Sequence, residues 1–165
     1  MPQTTYLTDR AIAVAGQLAD GGNDIHIATW PASEVIPFGL AVEVVSGKVR
    51  LPQSTGQEIA TFGGVAMYKD MAVPGGYAIG DMVPVLRKGR IWGVGSSTLT
   101  GATELEDAKV SHSSTVATDR GKFTDAASAA TAGSEISGVV AKFRGSKSTT
   151  ALVLVELNLP SGGVQ

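Results

Sequence analysis

Glycine constrains this chain more than any other residue type: 21 of its 165 residues are Gly and 7 are Pro, and they fall between short segments of Val, Ile and Leu. Segments this short suit strands of roughly four to eight residues joined by tight turns, and they leave little room for helices of ordinary length. The spacing predicts an all-β chain. No fixed period recurs, which argues against solenoids and propellers. The length is that of one domain. A hydrophobic fraction of 43% with 17% charged residues suffices to fill a core and is unlike the composition of disorder.

Strand patterning runs through most of the chain. After Pro37, residues 38–45 place Phe38, Leu40, Val42 and Val44 on one face, with Glu43 facing the other way. Ser46-Gly47 turns this strand into 48–51, a predicted hairpin. Residues 63–68 read as a further strand, and Pro74-Gly75-Gly76 as a loop before Tyr77. Residues 82–88 and 90–94, separated by Gly89, read as a second hairpin. Within it Pro84, which has no N–H, belongs at an edge, a bulge or a non-bonding position. The stretch 109–118 alternates with Val110, His112, Ser114 and Val116 on one face, and Asp119-Arg120-Gly121 turns it into Lys122-Phe123-Thr124. Residues 126–132 suit a short helix or an irregular loop equally. Residues 136–143 and 151–157 close the series. The last is apolar on both faces over 152–155, which predicts a central strand covered on both sides. The expected architecture is a small β-barrel or jelly-roll-like sandwich.

Residues 1–35 differ from this pattern. They mix Thr, Ala and Asp, carry the turn-like Asp20-Gly21-Gly22-Asn23-Asp24, and show little sustained alternation. They read as an extended N-terminal arm ahead of a body over 36–158 and a short tail over 159–165. The arm has too few apolar residues to fold alone, so burial of Tyr6, Leu7, Ile12, Val14, Leu18, Ile25, Ile27 and Trp30 requires a surface supplied by the barrel or by a neighbouring subunit. Trp30 either tucks back onto the domain or docks onto another chain.

Charge and chemistry narrow the function. Thirteen basic and 15 acidic residues give a net charge of −2, so no overall positive field favours nucleic acid. Cysteine is absent, which removes disulfides, thiolate metal sites and cysteine nucleophiles. No apolar run approaches the ~18 residues of a bilayer span, and the start Met1-Pro-Gln-Thr-Thr lacks a basic signal region, so synthesis in the cytoplasm is the expectation. The two histidines, His26 and His112, are not set out as a nucleophilic triad: Ser114 shares a strand face with His112, but no nucleophile-elbow glycines flank it. Asn23, Asp24 and His26 read as a turn, and Glu104, Glu106 and Asp107 as a solvated loop, because both sets fall short of a metal's ligand count. Trp92-Gly-Val-Gly lacks the third glycine and the helix of a dinucleotide fingerprint. Arg87, Lys88 and Arg90, placed at the predicted hairpin tip, serve either as a solvated edge that blocks aggregation or as a contact for an acidic protein surface. No catalytic residue, metal ligand or cofactor site is expected.

The ordered series Met1-Pro-Gln-Thr-Thr-Tyr, Ile36-Pro-Phe-Gly-Leu-Ala-Val, Val49-Arg-Leu-Pro, Phe62-Gly-Gly-Val-Ala, Gly76-Tyr-Ala-Ile-Gly-Asp-Met-Val-Pro-Val-Leu-Arg-Lys-Gly-Arg-Ile-Trp and Val155-Glu-Leu-Asn-Leu resembles the structural cement, or head decoration, proteins of tailed bacteriophages. The resemblance spans nearly the whole chain; residues 126–132 and 146–150 match no family pattern. It implies a β-barrel or jelly-roll-like body on the outer surface of an icosahedral phage head, made in the bacterial host cytoplasm. It implies the major capsid protein and other copies of the same chain, as dimer or trimer, as partners, with neither nucleic acid nor membrane involved, and no catalysis. Tyr6, Leu7, Ile12, Val14, Leu18 and Trp30 are the expected capsid or subunit contacts. The alternatives are a tail or baseplate β-domain and a small-ligand or glycan-binding β-barrel.

Overall fold

In a computed structural model of the chain, residues 13–20, 24–53, 62–69, 75–96, 99, 103–111, 119–125, 141–144 and 152–159 are described. Among them are twelve strands and no α-helix: β1 (Leu18–Asp20), β2 (His26–Pro31), β3 (Ile36–Pro37), β4 (Ala41–Val45), β5 (Lys48–Arg50), β6 (Phe62–Ala66), β7 (Gly76–Tyr77), β8 (Met82–Val94), β9 (Asp107–Val110), β10 (Phe123–Thr124), β11 (Ala141–Phe143) and β12 (Leu152–Asn158). The all-β expectation is met.

The 13-residue strand β8 organises the sheet. Val85 and Leu86 are paired on one side by β2 and on the other by β6. Further along, Arg90 and Ile91 are paired by both β1 and β12. A strand bonded along both edges exposes few free backbone groups, and its side chains must then be covered on both faces or carry polar groups on one. β8 does both: Val83, Val85, Leu86 and Ile91 are buried, while Met82 and Arg90 are exposed.

Each end of the sheet curls until it meets β8 again. In one direction the order runs β8-β6-β4-β5; Val49 of β5 then bridges Ala32, which directly follows β2, itself paired to β8. In the other it runs β8-β12-β11-β9-β10, and Phe123 of β10 bridges Gly95, one residue past β8. Two hydrophobic clusters fill these curls. Around the first lie Ile36, Val42, Val44, Val49, Tyr77, Val83 and Val85, with Trp30, Phe38 and Leu51 packed against them. The second holds Ile91, Val110, Phe123, Phe143, Val153, Val155, Leu157 and Leu159, and extends to Phe62 and Val65 of β6. At roughly 25 cal/mol per Å² of apolar surface removed from water, burial of such clusters is the main favourable term. A short β3-β7 pair, Ile36 opposite Tyr77, caps the first curl.

Several sequence expectations are met. The β4-β5 hairpin turns at Ser46 and Gly47, with φ of 51° and 72°, the two successive left-handed residues that a two-residue hairpin favours. Val42 and Val44 share a core cluster, and Glu43 faces away from it. The strand expected over 109–118, turned at 119–121 into 122–124, is not formed that way: β9 ends at Val110, which lies opposite Phe123 of β10, and Ser111 N donates to Lys122 O, so the residues between 111 and 121 belong to the connection.

Other expectations are corrected as well. Residues 82–94 form one continuous strand and not a hairpin, because Gly89, at φ 126°, is a lone glycine that bends an extended chain, where a reversal needs two turn residues. The basic trio therefore sits mid-strand and not at a tip: Arg87 is buried, Lys88 pairs with Asp24, and Arg90 with Glu156. β12 is central in the sheet but not covered on both faces. Val153, Val155 and Leu157 are buried, whereas Leu152, Leu154 and Glu156 are half-exposed, because the ion pairs on that face bring no covering layer. Pro84 lies inside β8, opposite Thr29, with its carbonyl accepting from Met67 N at 2.9 Å. The elements expected at 112–118, 126–132 and 136–140, and the turn at 146–150, lie outside the described residues.

Candidate functional site

Of the six expected contact residues, Tyr6, Leu7 and Ile12 lie outside the described residues. Val14 is 42% exposed. Leu18, on β1, packs against the second cluster, and Trp30, on β2, against the first. Trp30 is half-buried, with its ring packed in part against the first cluster of its own domain. The alternation of β2 explains this: His26, Ala28 and Trp30 are half-buried, while Ile27 and Thr29 face out.

The large apolar side chains that the fold leaves exposed are Val35, Ile79, Met82, Leu105, Ile27, Val14 and Tyr68. Three of them lie on the segments 31–36 and 77–82, which the pairing sets side by side at the capped end of the first curl. Val35 precedes the β3-β7 pair, Ile79 follows it, and Met82 opens β8 opposite Pro31. The 78–81 turn is fixed there by Gly80 N donating to Ala32 O and Ala32 N to Asp81 O, each at 2.9 Å. Asp81 Oδ2 accepts from Ala78 N at 2.9 Å.

A different surface covers β8, β12, β11 and β9. The register sets Arg90 opposite Glu156, Glu156 opposite Lys142, and Lys142 opposite Asp107, so charges alternate in sign across four strands. Glu156 Oε2 accepts from Arg144 Nε at 2.6 Å and Arg90 Nε at 3.0 Å, and Lys142 Nζ donates to Asp107 at 3.0 Å. The Arg144 hydrogen bond, opposed by desolvation and assisted by Arg90, holds the Glu156 carboxyl below its usual pKa. This face satisfies its own charge. A second ionic tie joins distant segments: Arg120 Nη2 donates to Glu34 Oε1 and to Leu51 O, and Glu34 Oε1 also accepts from Leu51 N at 2.7 Å.

No group of three or more His, Cys, Asp or Glu positioned for a metal occurs among the described residues. Glu106 spends its carboxylate on Thr103 N and Oγ1, and Asp107 on Lys142, as a turn and a strand pair do. Asp24 pairs with Lys88; His112 and Asn23 lie outside the described residues. Among the described residues, buried apolar side chains occupy the interiors of both curls.

Comparison with known proteins bears on the function. The family model described as structural cement protein (E217 gp24/Pam3 gp6) matches residues 2–158. The chain belongs to the structural cement protein family. A chain from the capsid of Myoviridae Phage XM1 is similar in fold, with a TM-score of 0.71, 15% sequence identity, and coverage of 94% of this chain and 96% of that one. No curated protein matches it. The function of this cement protein is therefore structural, in the decoration of a phage capsid. The sequence reading named no part of the 35/79/82 cap as a contact. A signal was present in Tyr77-Ala-Ile-Gly-Asp-Met: an isoleucine beside a Gly-Asp turn has little chance of burial.

Proposed function

We propose that this cement protein binds the outer surface of an icosahedral phage head and fastens neighbouring capsomers, with the major capsid protein and further copies of itself, in a dimer or trimer, as partners. No nucleic acid, membrane, cofactor or bond-making step enters the mechanism, and the chain is made in the bacterial host cytoplasm. The family match over residues 2–158 carries this reading. The fold supports it. Core side chains occupy both curls, as suits a strut better than a ligand-binding barrel.

The physical task is to resist outward pressure. A body attached to two capsomers at once makes its second contact intramolecular, so the effective concentration of the sites replaces the bulk concentration and avidity holds the lattice closed. Within residues 1–35, the contacts we assign are Tyr6, Leu7, Ile12 and the exposed Val14; Leu18 and Trp30 have already committed apolar surface to the core. Residues 36–158 supply the rest of the body. Purified protein added to heads that lack it should bind near one copy per capsid subunit and raise the temperature at which they rupture. Protein that stays free, with rupture unchanged, overturns the proposal.

A further inference from the structure

We infer that the apolar cap formed by Val35, Ile79 and Met82 is a docking surface for the capsid shell, separate from the contacts assigned to Tyr6, Leu7, Ile12 and Val14. The inference rests on the cement reading above and deepens it by supplying the second attachment that a clamp needs. These are among the most exposed large apolar residues of the described chain, at 62%, 70% and 55% relative exposure, and they sit on neighbouring segments: Ile79 on the 78–81 turn bonded to Ala32, Met82 directly after it, and Val35 three residues past Ala32.

Two acids neighbour the cap. Glu34, next to Val35, faces Leu51 N and Arg120. Asp81, next to Met82, faces Ala78 N. Glu34 is thus half-buried and drawn towards Leu51 and Arg120, whereas Asp81 stays exposed beside the cap with one oxygen engaged by Ala78 N. Over β8, β12, β11 and β9, by contrast, Arg90, Glu156, Lys142 and Asp107 pair among themselves.

Size decides the occupant. Three side chains of this exposure offer on the order of a few hundred Å², well below the roughly 800 Å² that each partner buries in a stable two-body interface. A second copy alone would be held too weakly. A shell that repeats the contact over many capsomers, with each molecule also held elsewhere, makes a small contact sufficient. The cap is therefore assigned to an apolar site on the capsid protein.

The test uses the full-length protein and heads that lack it. Ile79→Asp with Met82→Asp should reduce occupancy at sub-saturating concentration by roughly tenfold or more, with an unchanged melting temperature. Leu105→Asp, an equally exposed apolar residue elsewhere, should bind as wild type. In parallel, mild peroxide treatment of the wild-type protein followed by mass spectrometry reads Met82 directly: it should oxidise in free protein and be protected on heads, whether or not the double variant folds. Full occupancy by the folded double variant, or equal oxidation of Met82 free and bound, overturns the cap assignment and leaves the cement reading standing. Equal loss with Leu105→Asp, or dissociation of a soluble oligomer by the double variant with head binding retained, also overturns it. Failure of the wild-type protein to bind heads overturns the underlying reading instead.

Discussion

The hydroxyl of Tyr77 donates to Met67 O at 2.7 Å, its ring meets Phe38 edge-on at a centroid distance of 5.2 Å, and burial with the nearby Asp81 carboxylate raises its pKa to about 12. The neutral phenol is thus favoured by folding, so its contribution is fully present below the ordinary tyrosine value of 10.0 and is lost as pH rises towards about 12. Tyr77→Phe should cost about 1 kcal/mol at neutral pH, the net value of one hydrogen bond. The gap between the two proteins in denaturant unfolding should close as pH climbs through that interval. A gap independent of pH would mean that the hydroxyl titrates alike in both states. Glu43 shows the limit of residue-by-residue reading. Alternation correctly turned it from Val42 and Val44, yet its side chain is fully buried, with Arg50 Nε 2.5 Å from Oε1. Period two tells which face a residue takes, not what lies over that face.

At the scale of elements, β8 accounts both for the stability of the sheet and for the main misreading. Its residue Gly93 lies directly under the buried ring of Phe123: a Cβ there would stand 2.6 Å from the ring. Phe123 has nowhere to move, so Gly93→Ala should destabilise by about 1–3 kcal/mol, the usual cost of overpacking, read as a lower denaturant midpoint with unchanged slope. The strands and turns legible in advance were those fixed by local chemistry, such as the Ser46-Gly47 turn between β4 and β5. The continuity of β8 was not legible, because whether a lone glycine bends a strand or reverses it depends on partners from β1, β2, β6 and β12, remote in sequence. The contact surface was legible only as an expectation that apolar residues of the first segment need a cover. For Leu18 and Trp30 the domain provides one, and the cap at Val35, Ile79 and Met82 is assembled from segments that only the fold brings together.

Over the whole molecule, the two core clusters both draw on β4, β6 and β8, and Arg120, from the turn before β10, holds Glu34 beside β2. Shared strands couple the stabilities of what they join, so the clusters should melt together. The two tryptophans report on the two halves: Trp30 packs against the first cluster, and Trp92, opposite Leu154, lies on the half of β8 that serves the second. Trp30→Phe and Trp92→Phe variants should give coincident fluorescence and circular-dichroism transitions, each single-tryptophan protein tracking the global one. Separated midpoints would show that the halves unfold independently. The double pairing of β8 also has a mechanical consequence. A load carried from one curl to the other runs lengthwise down a backbone gripped on both flanks, so yielding demands that many hydrogen bonds shear at once and leaves no hinge at which the two halves could swing apart.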